Sequence, residues 1–201
     1  MSGEVIKSFA TPGTQPLGLA FNDKFLWHCD PLTDLIYQLD LNGKVIKSFA
    51  IPGINGTGLA FDGKFLWHCD NNSRLIYQMD LNGKVIKSFA TPGIQPLELA
   101  FDGKFLWHCD NASDLIYKLD LNGKVIKSFA TPGMNATGLE FDGKYLWNCD
   151  NNSQLIYQTD LNGKIIKSFA GPGTNTRGLA FDGMFLWTCD VGAALIYQLR
   201  R

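Results

Sequence analysis

The feature that most constrains this chain is a strict internal repeat of 40 residues. Trp27 and Cys29 recur at that interval four more times, ending with Trp187 and Cys189. A fixed period of this length indicates a repeat architecture, in which each repeat forms one small unit that packs against its neighbours. With 201 residues, the chain holds five such units.

Each repeat contains four short runs rich in β-branched and aromatic residues, which predict β-strands. In the second unit these runs cover 58–61, 65–69, 75–79 and 85–89, and we name them strands a, b, c and d. An Asp-Gly pair joins a to b and an Asn-Gly pair joins c to d, and both are typical of two-residue hairpin turns with positive φ at each position. The b–c and d–a connections are longer loops. The repeat is therefore predicted to be a four-stranded antiparallel meander.

Five equal meanders predict an all-β fold, a five-bladed β-propeller with four antiparallel strands in each blade. We expect one domain over residues 1–201. A β-helix is disfavoured because its strands are parallel, and a sandwich or barrel does not require five near-identical units. The blades are predicted at approximately 18–50, 58–90, 98–130, 138–170 and 178–199, with 4–10 completing the last one.

The two ends of the chain predict how the ring closes. Residues 4–10 read as a strand d with no a, b or c before it, whereas residues 195–199 read as a strand c with no d after it. Pairing these two strands completes the fifth blade and removes an unpaired edge. The residues expected to meet at this junction are Val5, Ile6, Phe9, Leu195 and Tyr197.

Every strand d carries a lysine in an otherwise apolar run. We interpret these lysines as protection of the outer edge of each blade against pairing with another chain, because a charged side chain disfavours such pairing. They are Lys7, Lys47, Lys87, Lys127 and Lys167.

The consensus run GLAFDGKFLWHCDNxSxLIYQLDLNGKVIKSFATPG resembles the repeats of NHL, SMP-30 and virginiamycin-lyase-like propellers. There a GLAFD–G–LWV-D half-repeat precedes an I-KLD–G-V half-repeat. The near-identity of the units also resembles bacterial propellers with recently amplified blades. The resemblance spans the whole chain and implies the propeller fold, but its shared positions are structural, and no residue of the lyase acid–base set maps onto this chain. The marks of WD40 repeats are absent, and glutaminyl-cyclotransferase-like enzymes, which are also five-bladed, typically carry longer loops.

The repeats differ mainly in the d–a and b–c loops. Between 41–80 and 81–120, nine of 40 positions differ, and seven of the nine lie in these loops or at the start of strand a. Both loops are expected on one side of the disc, which we call the loop face, and the nearly constant a–b and c–d turns on the other, the turn face. Variation over a constant scaffold is typical of a recognition surface, although loops also tolerate drift.

One position of strand b is polar in all five repeats. It indicates either a buried slot whose side chains bond to the backbone or water, or a polar ring able to hold an anion, a sugar or a metal. The residues are His28, His68, His108, Asn148 and Thr188.

Two glutamates break the symmetry close to the predicted axis. Glu140 stands where the other repeats have alanine, and Glu98 stands where they have glycine. A carboxylate in such a place needs solvent or a partner. They are weak candidates for a cation site at the loop-face mouth of the channel, together with the aspartates that begin the b–c loops. Those aspartates have a simpler explanation, as acceptors of loop N–H groups. They are Asp30, Asp70, Asp110, Asp150 and Asp190.

Composition excludes several classes of function. The formal net charge is −1 and no basic stripe occurs, which disfavours nucleic-acid binding. No apolar run is long enough for a membrane span. The five cysteines are expected to be buried free thiols, since equivalent positions of adjacent blades lie too far apart for disulfides. With no leader sequence, this predicts the cytoplasm. No motif for a cofactor or a nucleophile is present.

These observations favour a monomeric, non-enzymatic binding or scaffold module without a cofactor. Its partner is expected to be a protein, a glycan or a small polar ligand on the loop face and channel mouth. The residues expected to bind it are Glu98, Glu140, His28, His68, His108, Asn148 and Thr188. One alternative is a lyase- or cyclotransferase-like enzyme with a metal near Glu140. Another is an amplified or engineered near-symmetric propeller with no selected ligand.

Overall fold

The computed structural model describes residues 2–201; Met1 lies outside the described residues. It contains twenty β-strands. They are β1 Val5–Ala10, β2 Leu19–Phe21, β3 Leu26–Asp30, β4 Leu35–Leu39, β5 Val45–Ala50, β6 Gly56–Phe61, β7 Leu66–Asp70, β8 Leu75–Met79, β9 Val85–Ala90, β10 Pro96–Phe101, β11 Leu106–Asp110, β12 Leu115–Leu119, β13 Val125–Ala130, β14 Ala136–Phe141, β15 Leu146–Asp150, β16 Leu155–Thr159, β17 Ile165–Ala170, β18 Thr176–Phe181, β19 Leu186–Asp190 and β20 Leu195–Leu199.

The strands form five four-stranded antiparallel sheets, which confirms the predicted five-bladed propeller. Blades one to four are β2–β5, β6–β9, β10–β13 and β14–β17, and blade five is β18–β20 with β1. The first strand of each blade contacts the first strands of both neighbours. These five innermost strands therefore surround the central channel.

The ring closes as the sequence predicts. Strand β1 pairs with β20 in an antiparallel register that places Phe9 opposite Ile196 and Ser8 opposite Tyr197. The Gly3 amide donates to the Arg200 carbonyl at 2.7 Å, and the Arg200 amide donates to the Glu4 carbonyl at 2.9 Å. The two chain ends consequently meet in the c–d turn of blade five.

The connections between strands differ from the predicted two-residue turns. Only the second residue of each pair has positive φ, 91° at Gly63 and 87° at Gly83, whereas Asp62 and Asn82 do not. The aspartates explain this, because the Asp62 carboxylate accepts hydrogen bonds from the amides of Lys64 and Phe65 at 2.9 and 2.7 Å. These side-chain bonds favour an Asx-type turn over a type I′ turn.

The hydrophobic core lies between blades. In one of the five clusters, Trp67, Cys69 and Ile76 of blade two pack against Leu99 and Leu106 of blade three. All five side chains are at most 1% exposed. Because both sides of each blade are covered in this way, strands b and c carry apolar residues on both faces.

The lysines of strand d also bond to the neighbouring blade, and their protection of the outer edge stays a prediction. Lys47 Nζ donates to the Leu81 carbonyl at 2.5 Å and to Asn82 Oδ1 at 3.0 Å, both in the next blade. The same ammonium lies 5.5 Å from the centre of the Trp27 ring. Its long side chain reaches across to the neighbouring blade, so these lysines tie the rim of the ring together. The branched residues beside it, such as Ile46, remain exposed at 47%.

Within residues 2–201, no helix is present that is long and apolar enough to cross a membrane.

Candidate functional site

The polar position of strand b holds strand a of the same blade. His68 Nδ1 lies 3.0 Å from the Gly58 carbonyl. Asn148 Nδ2 donates to the Gly138 carbonyl at 2.8 Å, and Thr188 Oγ1 donates to the Arg177 carbonyl at 2.8 Å. His108 makes the corresponding contact with the Glu98 carbonyl at 3.1 Å.

All five residues at this position are fully buried. Burial lowers the pKa of His28, His68 and His108 to about 4, so these rings are neutral at pH 7. Their Nε2 atoms have no hydrogen-bond partner among residues 2–201, and His28 also lacks one for Nδ1. The arrangement matches the buried slot considered above, and contact with a ligand stays a prediction.

Glu98 lies in the channel and is fully buried. Its Oε1 atom accepts hydrogen bonds from the Leu59 amide of blade two at 2.7 Å and from the Leu99 amide at 3.2 Å. Its Oε2 atom has no partner among residues 2–201. Burial raises the pKa of this carboxyl well above its ordinary value. Burial raises the pKa of all five cysteine thiols, and Glu98 acts in the same direction.

Glu140 also lies near the axis, but it opens to the turn face. It lines a cavity of about 280 Å³ bounded by residues of the a–b turns, among them Asp62 and Gly63. Its Oε1 atom accepts a hydrogen bond from the Phe141 amide at 2.7 Å, and burial raises the pKa of this carboxyl to about 8. The expected acidic mouth on the loop face is therefore not formed with Glu140, because strand a carries this side chain toward the opposite end of the channel.

The aspartates that begin the b–c loops have another role. Asp70 Oδ2 accepts hydrogen bonds from the amides of Ile54 and Asn55 in the d–a loop, at 3.1 and 2.7 Å. Its Oδ1 atom accepts one from the Ser73 amide in the b–c loop at 2.6 Å. Each aspartate thus joins the two loops of its blade, and the simpler explanation given above fits the geometry. Over the described range, His, Cys, Asp and Glu form no group of three or more that could hold a metal ion.

The cysteines are free and buried. The Cys29 thiol donates to the Thr57 carbonyl of the next blade at 3.2 Å. Because each thiol lies inside the packed region between blades, it contributes to packing rather than to a reactive surface.

Three exposed apolar residues form a feature of the loop face that the sequence reasoning missed. Ile54, Ile94 and Met134 occupy the same d–a loop position in blades two, three and four and are 70%, 62% and 74% exposed. Blades five and one have Thr174 and Thr14 there. Aligning the five repeats reveals this feature, because the apolar residues at this position are confined to three consecutive blades.

Arg177 is a second missed residue, at the loop-face end of β18. Its Nε donates to Asn175 Oδ1 at 2.9 Å, and Asn151 Nδ2 donates to the same oxygen at 2.7 Å. Partial burial lowers the pKa of the guanidinium, which nevertheless stays charged at neutral pH. Since the other blades have leucine or threonine at this position, such as Leu97 and Thr137, a charged residue there was readable from the alignment of repeats.

Asp23 is a third missed residue, in the a–b turn of blade one. It replaces the glycine of the other blades and has a φ of 66°, in the left-handed region. It lines the same turn-face cavity as Glu140. Two of the acidic residues that occur in single blades, Asp23 and Glu140, thus line one cavity.

Comparison with solved structures identifies propellers. Myxococcus xanthus glutaminyl cyclase superposes with a TM-score of 0.82 at 13% identity, over 98% of this chain and 95% of that one. Since 95% of that enzyme aligns with this chain, its loops add little length beyond those of this chain, although longer loops are expected of cyclotransferase-like proteins. Virginiamycin B lyase from Staphylococcus aureus, in complex with quinupristin, gives a TM-score of 0.58 at 19% identity, over 96% of this chain and 72% of that one.

The WD40 propeller domain of Doa1 gives a TM-score of 0.61 at 14% identity, over 91% of this chain and 62% of that one. No protein-family model matches the sequence, and no curated protein matches it either. At these identities the likeness concerns the fold, which agrees with the resemblance to virginiamycin-lyase-like propellers. The chain is therefore a five-bladed β-propeller similar in fold to glutaminyl cyclase and virginiamycin B lyase.

Proposed function

We propose that this propeller is a binding module whose loop face recognises a protein segment. The observation that carries the proposal is the run of exposed apolar side chains on three consecutive blades, Ile54, Ile94 and Met134. Large apolar groups held in solvent at equivalent positions of a rigid scaffold are typical of a surface that is covered on binding.

The positive charge of Arg177 indicates that such a segment carries an acidic group. Its Nε donates to Asn175 Oδ1 at 2.9 Å, which fixes one side of the guanidinium. A guanidinium fixed on one side presents its remaining N–H groups in the geometry that a carboxylate takes. We therefore propose a segment with apolar residues and at least one acidic side chain. A glycan or a small polar ligand is the competing class.

We further propose a monomer in a reducing compartment. The five buried free thiols support the compartment, since disulfides are absent from their neighbourhood and oxidation would require unfolding. Closure of β1 on β20 within one chain supports the monomer.

A displayed peptide library tests the loop-face proposal. We expect acidic, apolar peptides to be enriched on the wild type. Replacing Ile54, Ile94 and Met134 with the threonine that blades one and five carry should weaken binding of enriched peptides at least about tenfold. Arg177→Thr should weaken only those with a carboxylate. Lys104→Met on the turn face reproduces blade five and serves as the control. Peptides that bind both loop-face variants as tightly as wild type contradict the proposal.

The superposition on glutaminyl cyclase over nearly the whole of both chains favours a second candidate, a cyclotransferase-like enzyme. Glu140 is the candidate general acid or base, because its carboxyl lines a cavity and its pKa is raised to about 8, close to neutral pH. A peptide with an N-terminal glutamine, followed by mass spectrometry for loss of ammonia, tests this candidate. Turnover that Glu140→Ala abolishes supports it, and absence of turnover removes it.

A further inference from the structure

We infer that the cavity on the turn face is a separate binding site for a small organic ammonium group, held by Glu140 and Asp23. It lies on the side of the disc opposite the loop face, so it goes beyond the recognition function proposed above and does not depend on it. The two carboxylates, the cavity that they share and the chemistry of its wall carry the inference.

The cavity has a size suited to a small molecule. Its volume of about 280 Å³ exceeds by several-fold the roughly 30 Å³ that one water occupies in the liquid. It is lined by the phenylalanine that ends strand a in every blade and by the a–b turns. The five phenylalanines are Phe21, Phe61, Phe101, Phe141 and Phe181.

The acidic residues of this cavity are departures from the repeat. Glu140 replaces an alanine and Asp23 replaces a glycine, and both lie at the same end of the channel. A third carboxylate in the wall, Asp62, is occupied, since its Oδ2 accepts a hydrogen bond from Trp67 Nε1 at 2.7 Å and its Oδ1 accepts two backbone amides. Glu140 and Asp23 are therefore the groups that distinguish this cavity from a symmetric one.

The nearby lysines do not supply a counter-charge to the cavity. Lys64 Nζ lies 4.8 Å from the centre of the Phe65 ring, and Lys104 Nζ lies 5.0 Å from the centre of the Phe105 ring. These rings belong to strand b, outside the wall of the cavity, and Lys24 and Lys144 lie in the same way over Phe25 and Tyr145. Each cation is thus held by an aromatic face away from the carboxylates.

Glu98 lies in the same channel but outside the wall of the cavity. Its Oε2 atom is fully buried and has no hydrogen-bond partner among residues 2–201, and its carboxyl interacts electrostatically with Glu140. A buried oxygen of this kind requires a proton, a donor or a cation nearby. A proton meets this requirement, because burial raises the pKa of Glu98 well above its ordinary value, and a neutral carboxyl adds no attraction for a cation.

An ammonium fits this wall better than a metal ion does. Calcium takes six to eight oxygen ligands and magnesium takes six, whereas Glu140 and Asp23 supply two carboxylates, and Glu140 Oε1 already accepts the Phe141 amide. Residues 2–201 offer no group of three acidic, histidine or cysteine side chains arranged around one point. A small ammonium group needs only one or two carboxylates, because its N–H groups donate hydrogen bonds to them and the mainly polar wall of the cavity.

Binding should depend on pH through Glu140. Burial raises the pKa of Glu140 to about 8, and the charge of Asp142 acts in the same direction, while the amides of Phe141 and Phe181 act against it. The other ionisable groups around the cavity and channel are Asp23, Asp62 and Glu98, and the Arg201 guanidinium lies 4.5 Å from the centre of the Phe181 ring while it pairs with Asp142. Because an ionised Glu140 binds a cation and a protonated one does not, affinity should rise from pH 6.5 to 8.5.

An NMR titration of the ¹⁵N-labelled full chain with propylammonium chloride tests the site. We expect saturable shifts of the Gly63 and Phe141 amides. Glu140→Ala and Asp23→Gly restore the residues of the other blades, so they should fold, and each should raise the dissociation constant at least about fivefold. Ile94→Thr on the loop face should leave it unchanged.

Three results overturn the inference. The first is that propylammonium causes no saturable shift. The second is that the neutral analogue propanol causes equal shifts. The third is that the shifts persist unchanged in both Glu140→Ala and Asp23→Gly. A separate titration with calcium chloride tests for a metal site, and binding of Ca²⁺ in place of propylammonium identifies one. Loss of loop-face peptide binding in Ile94→Thr, with the ammonium site intact, separates the two proposals.

Discussion

Glu4 and Arg200 form an ion pair of 2.9 Å that joins the first and last strands of the ring. The equivalent positions in the continuous blades hold the opposite charges, such as Lys84 and Asp80 in blade two. If β1 paired with strand c of another blade, Glu4 would lie beside an aspartate. The reversed pair thus favours the native closure over the four alternative pairings that near-identical repeats permit.

Reversing one charge of the pair between Glu4 and Arg200 should destabilise the closed ring, and reversing both charges should restore its stability. Arg200→Asp places two acidic side chains together, and we expect a loss of about 0.5 kcal/mol in the free energy of unfolding, because both side chains are largely exposed. Arg200→Asp with Glu4→Lys recreates the pair of the other blades and should recover the loss. Urea denaturation followed by tryptophan fluorescence measures this. A double variant as unstable as the single one contradicts the role of the pair.

Removing β1 should open the ring. Deletion of residues 2–10 takes away the outer pairing of β20, which stays paired with β19, and the Phe9 ring, whose centre lies 6.0 Å from that of Trp187. We expect a loss of at least about 3 kcal/mol, comparable to loss of a buried aromatic side chain, and a lower melting temperature by calorimetry. A synthetic peptide of residues 2–12 added to the truncated chain should restore stability. An unchanged melt contradicts closure through this strand.

Asn22→Asp should stabilise blade one. In the other blades an aspartate accepts the indole N–H, as Asp102 does from Trp107 at 2.9 Å, whereas the buried Trp27 Nε1 has no partner among residues 2–201. A carboxylate at position 22 supplies that acceptor and should add roughly 1 kcal/mol, measured by denaturant unfolding. The reciprocal Asp182→Asn in blade five should cost a similar amount, because that carboxylate also accepts the indole N–H of its blade. If Asn22→Asp gives no gain, the indole N–H is already satisfied by water.

Stability should be highest between about pH 6 and 7. A carboxyl whose pKa is raised on folding stabilises the fold at low pH and loses that contribution as pH rises through its folded pKa, which is about 8 for Glu140. The buried histidines act in the opposite way. Burial lowers their pKa to about 4, so their contribution is complete above about 6.5 and is lost as pH falls toward 4.

Melting temperatures from pH 4 to 9 measure this balance. Glu98→Gly with Glu140→Ala should remove most of the decline on the alkaline side, and His68→Asn, which reproduces Asn148, should flatten the acid side. A wild-type profile that rises steadily to pH 9 is the result that contradicts the buried, protonated state of the two glutamates.

Position within the repeat placed Glu140 and Glu98 near the axis correctly, because strand a is the innermost strand of each blade. It did not place Glu140 at the right end of the channel, because that side chain lines the turn-face cavity. The side chain at position 98 lies two residues nearer the loop face than the one at position 140, and that difference decides which mouth each carboxyl approaches. The type of the a–b turn was also missed, since the Asp62 side chain competes for the amides that a type I′ turn leaves to solvent.

The 40-residue repeat by itself determined the number of blades, the order of strands and the closure of β1 on β20, because each follows from local patterns of apolar residues and from the two incomplete ends. Contacts between blades were decided only by the tertiary structure. Lys47 reaches the next blade, and Asp23 meets Glu140 across a cavity, although these residues lie far apart along the chain. The repeat predicts the structure of one blade and the order of blades along the chain. The channel is formed by strand a of all five blades together, so which side chains meet in it depends on the closed ring.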